Sequence, residues 1–457
     1  MIDYISFIDL IVPVILLVLI FIYLKRIQLK RIEEDPSYKY FIYGWLVKVV
    51  GGTMVCLIYV YYYGAGDTLN YYNDCNTVLN LTAKSFPNLF RYFFGPDPSL
   101  VFEATVDTGY FQYFNDPHAS AVVKLTLILC LFSFKSFVGM TILLATISYW
   151  PIWRLYKVLI REFPDLSFSF AMALFFIPSV FFWGSGLLKD TITFAAVCLF
   201  ASSFCIILIQ RKAYLKNLSL MVVGSTLLLW IKPYIFFALL PGSFLWFGGI
   251  QLEKVDNKLI RSLSTPFLIV FSLISGYLML DLMSGFLGDY SISNVLDKAV
   301  LTNLDLKSEH YQGASFDIGD FDPTIGGILS KLPAAINAAL FRPYLWESYN
   351  LTMIFSGLEN FIMLAFSLYL LLKLKVYNLF RLMFRHRILF FTVYFSLFFA
   401  FSVGLTTSNF GSLVRYKIPA IPFFVISLMI ISHSYRELLD SDKQKFLVAE
   451  KLKPAIE

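Results

Sequence analysis

Eleven stretches of this 457-residue chain are apolar over roughly the length a helix needs, about 20 residues, to cross the hydrocarbon core of a bilayer. They lie near 8–24, 41–63, 136–153, 166–184, 190–210, 217–231, 234–250, 265–287, 351–372, 388–405 and 418–434. A further apolar stretch at 119–134, bracketed by Lys124 and Lys135 at too short a spacing, reads as a re-entrant or interfacial helix rather than a crossing. Composition points the same way. The chain is 58% hydrophobic and 15% charged, against about a quarter charged in soluble domains. The expected fold is all-α: a polytopic transmembrane helical bundle of about 11 spans over 1–434, surrounded by membrane lipids. The 48 Phe and 28 Tyr fit rings that face lipid or sit in interfacial belts.

Lys and Arg orient the bundle. With the N-terminus outside, the segments 25–40, 154–165, 211–216, 251–264, 373–387 and 435–457 fall inside and hold 24 of the 37 basic residues. The net charge of +6 then has a topological cause and gives no reason to expect nucleic acid as a partner. Two long connections, 64–120 and 288–350, fall outside. Loops beyond about 15 residues are commonly lids or binding loops. The first carries an aromatic stripe (Phe86, Phe90, Tyr92, Phe93, Phe94) suited to lying flat in the interface. The leading apolar stretch follows Asp3 and Asp9 rather than a basic region, so it reads as a retained span. Residues 435–457 read as a short cytoplasmic tail. The five cysteines show no CxxC or metal-ligand spacing and read as buried small apolar residues.

Within this apolar chain the run Gly64-Ala65-Gly66-Asp67-Thr68-Leu69-Asn70-Tyr71-Tyr72-Asn73-Asp74 is a compact polar knot. An ionisable residue at the mouth of a span is costly and points to binding or chemistry. The topology puts the other unusual polar positions on the same outer face: Lys189 and Asp190, Lys232, Arg342 with Glu347, and Arg415-Tyr416-Lys417. Arg offers a bidentate fork for phosphate oxygens and Lys a point charge, at the depth where a lipid-linked phosphate lies. Asp67 suits a general base that takes the proton of an attacking sugar hydroxyl. Asn70, Tyr71 and Tyr416 add polar and stacking surface for a sugar. Each position also has a plainer reading. Asp67 could cap a helix, Lys189 and Asp190 form a solvated turn, and Lys232 punctuate two spans. Arg415 and Lys417 could snorkel as anchors. His118 and His310 read as surface histidines. The cluster Asp317, Asp320 and Asp322 offers oxygen ligands for a divalent cation but lacks a calcium-loop pattern, and reads as a solvated loop.

The segment Gly66-Asp67-Thr68-Leu69-Asn70-Tyr71-Tyr72 resembles the glycine, aspartate and tyrosine element of EpsG-like and Wzy-type polysaccharide polymerases. Arg415-Tyr416-Lys417-Ile418-Pro419-Ala420-Ile421-Pro422 is similar to the R-Y-x-x-P-x-x-P ending of those proteins and of integral-membrane GT-C glycosyltransferases. The turn from Pro178-Ser179 to Lys189-Asp190 resembles their central segment. Asp67 has no acidic neighbour before Asp74, where GT-C enzymes place an acidic pair, so no certain metal cofactor is implied. The resemblance implies a glycosyltransferase or polymerase on the outer face of a bacterial inner membrane. Its partners would be a polyprenyl-linked glycan donor and acceptor and other polysaccharide-assembly proteins. Asp67 would be catalytic, with Arg415, Lys189, Arg342, Lys232, Asn70, Tyr71 and Tyr416 holding substrate. A transporter or flippase for the same lipid-linked glycan, and a non-catalytic envelope scaffold, are the alternatives.

Overall fold

Apolar helices dominate the computed structural model, which describes residues 4–95, 97–253, 297, 300–305, 315–348, 350–374 and 376–452. Seven of its helices are long and apolar enough to cross a membrane. They are Phe7–Arg31 (α1), Pro36–Tyr63 with α2 (Phe41–Ile58) at its centre, Lys189–Gln210, Tyr214–Ile231, Pro233–Ile250, Met353–Lys373 and Arg387–Thr406. Two bent pairs bring the number to nine if each is one span: Pro117–Phe132 with Phe137–Glu162 at 112°, and Phe410–Tyr416 with Ala420–Leu439 at 63°. The span expected near 265–287, the segment 251–264 beyond Glu253, and His310 lie outside the described residues.

Three expectations are corrected among the described residues. The connection 64–120 is largely helical, with α3 (Asp67–Lys84), α4 (Pro87–Phe94) and α5 (Ser99–Glu103) leading into α6 (Pro117–Phe132). Polar side chains spaced on one face of α3 hide its helical pattern from a search for apolar runs. The basic segment 154–165 continues the helix α7 (Phe137–Glu162) rather than forming a loop. The stretch 166–184 is no single span. It breaks into α8 (Ser167–Ala171), a π-type turn and α9 (Pro178–Trp183), because Ile177 before Pro178 is extended at ψ 121°, as a residue preceding proline prefers.

The remaining labelled helices are α10 (Lys189–Cys205), α11 (Tyr214–Ile231), α12 (Pro233–Glu253), α13 (Ile325–Ser330), α14 (Leu332–Phe341), α15 (Leu351–Lys373), α16 (Val376–Arg385), α17 (Arg387–Thr406), α18 (Phe410–Tyr416) and α19 (Ala420–Leu452). Helix α10 is buried along almost its whole length between α7 and α11. Helix α17 packs against α12, α14 and α19. All five cysteines are buried and free, as their scatter suggested.

Two groups of charged residues lie at opposite ends of the bundle. At one end Lys157 pairs with Asp35, Arg154 donates to Asn217, and Arg161 donates to Gln210 at 3.0 Å. From Gln210 the helix runs back through 22 residues to Lys189, a rise of about 33 Å. The polar knot at Asp67 therefore lies at the end opposite these basic segments.

The broken stretch matters because it delivers Lys189 and Asp190. It is pressed directly onto α2. A Cβ on Gly51 would stand 2.2 Å from the carbonyl oxygen of Phe181, and one on Gly52 2.7 Å from that of Ser185. Between these contacts the buried Lys48 ammonium donates to the Gly184 carbonyl and lies 3.4 Å from Ser185 Oγ. Gly51→Ala should cost about 1–3 kcal/mol by forcing the two backbones apart. A lowered melting temperature of the detergent-purified variant is the expected result, and an unchanged one would rule out this close packing.

Candidate functional site

Two glycines shape the approach to Asp67. The π-type turn Tyr59–Tyr63 ends α2 and is closed by Gly64, whose φ of 68° is left-handed. Gly66 takes φ 125°, and a Cβ there would lie 2.7 Å from the ring of Tyr59. Both conformations favour glycine. The chain thus turns sharply and begins α3 at Asp67 while leaving the Tyr59 hydroxyl in place. Thr68 Oγ1 then donates to the Leu187 carbonyl at 3.1 Å, fastening α3 to the segment before α10.

The Asp67 side chain bonds across to other segments of the chain. Its Oδ1 accepts from the Tyr113 hydroxyl at 2.8 Å and its Oδ2 from Arg415 Nη2 at 2.9 Å. The rest of the polar run supports that arrangement. Asn70 Nδ2 donates to the Tyr113 hydroxyl at 3.2 Å, and the buried Tyr71 ring packs 5.0 Å from the Tyr113 ring. Asp74 accepts from the backbone N–H groups of Gln112 at 2.7 Å and Tyr113 at 2.9 Å. Asn70 and Tyr71 therefore position Tyr113 rather than line an open surface.

Arg415 is the hub. Its Nη1 donates to the Tyr59 hydroxyl at 3.1 Å, and its Nη2 reaches both Asp67 and, at 3.4 Å, Asp190 Oδ2. The guanidinium lies 5.7 Å from the centre of the Trp183 ring. Lys232 Nζ donates to Asp190 Oδ1 at 2.5 Å and sits 4.7 Å from the Tyr416 ring centre. Lys189 pairs with Asp116 at 3.4 Å, and Asp116 also caps α6 through the His118 and Ala119 N–H groups. His118 is tied in as well, its Nδ1 lying 2.9 Å from the Trp230 carbonyl oxygen. Exposure is graded through the cluster. The Asp190 side chain is 1% exposed, that of Arg415 17% and that of Asp67 41%. Burial raises the Asp67 carboxyl, but the Arg415 charge and the hydrogen bonds from Arg415 and Tyr113 outweigh it, leaving it below its ordinary value.

Arg342 stands apart from this cluster. It forms an ion pair with Glu347 through two nitrogens and lies 4.7 Å from the Phe316 ring centre and 5.3 Å from that of Phe410. Its carbonyl accepts from the fully buried Lys417 at 3.1 Å, and Lys417 also donates to Asn360 Oδ1 at 2.8 Å. The loop beside it is stitched to the linker between α17 and α18. Asn303 Nδ2 donates to the Leu405 carbonyl at 3.0 Å, Ser408 Oγ to the Asn303 carbonyl at 2.6 Å, and the Phe316 N–H to the Ser408 carbonyl at 2.9 Å.

The structure therefore brings together Asp67, Lys189, Lys232, Arg415 and Tyr416, with Asn70 and Tyr71 in support. It adds Asp190 as the buried partner of two cations, and Tyr59, Tyr113, Asp116 and Trp183. Asp190 was visible in sequence beside Lys189. Tyr113 and Asp116 stand in the long connection without any local motif. Among the described residues no group of three or more His, Cys, Asp or Glu is placed to hold a metal ion.

Among the described residues, fold and site define an all-helical membrane protein with a compact cluster of ion pairs at one end of its bundle. No family model matches the chain, and comparison with curated proteins and with solved structures gives no match either.

Removing one partner of a buried ion pair leaves the other charge uncompensated, at a cost of about 3–5 kcal/mol. Asp190→Asn should accordingly lower thermal stability strongly, and adding Lys232→Met should restore part of the loss. A double-mutant cycle without coupling would contradict the pairing. Asp74 gives a pH signature. Burial lifts its carboxyl from 3.8 to about 6, against the two backbone N–H groups that favour the anion. The folded protein holds that proton more tightly than the unfolded chain, so its stabilising contribution is full at low pH and lost as pH rises through about 6. Melting temperature measured from about pH 4 to 7 should fall less steeply in Asp74→Asn than in the wild type.

Proposed function

We propose that the protein is a glycosyltransferase or polymerase that uses polyprenyl-phosphate-linked sugars on the outer face of a bacterial inner membrane, for synthesis of a cell-surface polysaccharide. The observation that carries this reading is the half-exposed Asp67 carboxylate held against Arg415, with Lys232 and Lys189 in the same polar knot. In the transfer, an acceptor hydroxyl forms a bond to the anomeric carbon while the bond from that carbon to the phosphate oxygen breaks. The hydroxyl proton goes to Asp67, and the electron pair leaves with the phosphate, whose negative charge the cations stabilise.

The orientation is supported by the polarity of the bundle. The knot lies opposite the end where Lys157, Arg154 and Arg161 gather, and basic residues favour the cytoplasmic side. By that rule the knot faces outward, where lipid-linked donors are the activated sugars at hand. Apolar surface at the same end is plentiful. Tyr61, Tyr62 and Tyr63, beside the glycine turn, are all exposed and suit an interfacial belt.

One observation favours a transporter for the same lipid-linked glycan. Arg415 belongs to a bent helix pair, and transporters build their sites on discontinuous helices. Product formation separates the two, since a transporter moves its substrate without making a bond. Purified protein in lipid nanodiscs, given a radiolabelled polyprenyl-phosphate sugar and an acceptor, should form a longer glycan. Asp67→Asn should slow that reaction by about 10²–10⁴-fold, the usual contribution of a positioned base. Unaltered turnover would remove Asp67 from the chemistry.

A further inference from the structure

Every cation of the cluster already has a carboxylate. Arg415 shares Nη2 between Asp67 and Asp190, Lys232 is held by Asp190, and Lys189 by Asp116. An arriving phosphate therefore meets balanced charges and must displace a resident carboxylate to reach a guanidinium. The two carboxylates on Arg415 are not equivalent. Asp190 has a side chain 1% exposed, and its second oxygen is fixed by Lys232 at 2.5 Å. Asp67 is 41% exposed, follows the glycine turn, and keeps the Tyr113 hydroxyl as a donor if Arg415 lets go. Arg415 Nε, moreover, is buried and has no acceptor among the described residues, so the guanidinium holds an N–H in reserve.

We infer that the phosphate of a lipid-linked substrate exchanges with Asp67 on Arg415, so that substrate binding itself releases the base. This rests on the phosphate-lipid reading proposed above and adds an order of events to it. In the free protein Arg415 keeps the Asp67 carboxylate weakly basic. Once phosphate takes the guanidinium, that restraint goes and the effect of burial remains, which makes the carboxylate a better proton acceptor. The base is thus competent only while the leaving group is in place, and an empty site does not deprotonate stray hydroxyls.

The exchange predicts a sign that a purely supportive Asp67 would not give. Geranyl phosphate and inorganic phosphate are titrated by calorimetry into detergent-purified wild type, Asp67→Asn and Asp67→Ala, with melting curves to verify folding. Without the competing carboxylate, geranyl phosphate should bind about ten-fold tighter or more in both variants, although both are impaired in transfer. Detectable binding in the variants alone supports the same conclusion. Wild-type binding that the variants leave unchanged or weaken overturns the exchange while leaving the phosphate-lipid reading intact. Absence of geranyl phosphate binding in all three folded proteins overturns that reading, and the exchange with it. Inorganic phosphate binding as tightly as geranyl phosphate overturns the lipid-linked part of the inference.

Discussion

The bond of Arg415 to two carboxylates from distant parts of the chain organises this end of the molecule. Asp67 begins α3, Asp190 lies in the first turn of α10, and Arg415 lies on the short α18. No local preference would bring these three segments together. Each alone would leave a charge at the edge of a low-dielectric bundle, which costs several kcal/mol per ion even after relaxation. Joined, and extended by Lys232, they compensate one another. The surrounding rings of Trp183 and Tyr416 cover the cations with surface that tolerates charge on its face.

The backbone geometry around the cluster serves that union. Glycines on α2 let the 178–188 segment lie against it at a distance no side chain would allow, and Lys48 holds the Gly184 carbonyl from below. The Gly66 conformation leaves room for Tyr59. A second buried node, Lys417 with Asn360 and the Arg342 carbonyl, anchors the chain two residues beyond Arg415, at the same end of α18. The ion pairs of Arg415 and this node together fix one end of a helix of seven residues.

Much of the fold could be read from the sequence because a bilayer writes its demand in long apolar runs. The runs near 8–24, 41–63, 190–210, 217–231, 234–250, 351–372 and 388–405 correspond to helices that can cross it. The reading failed where length and hydropathy do not determine shape. Residues 166–184 are apolar enough to span, yet Pro178 divides them. Residues 67–84 are too polar to register as a span, yet form a regular helix. At the site, a charged residue in an apolar chain is conspicuous, so Asp67, Lys189, Lys232 and Arg415 stood out. Tyr113 and Asp116 sit among other polar residues and become significant only through contacts at sequence separations of 46 and 73 residues. Arg342 was equally conspicuous but satisfies its charge with Glu347, five residues away.

The stitching of Asn303 and Phe316 to residues 405–408 gives the long connection a hold on the site. Those bonds end at the linker that leads directly into α18. The start of the helix that carries Arg415 is thus fixed from a part of the chain 105 positions away, so the placing of the guanidinium is a long-range property of the fold.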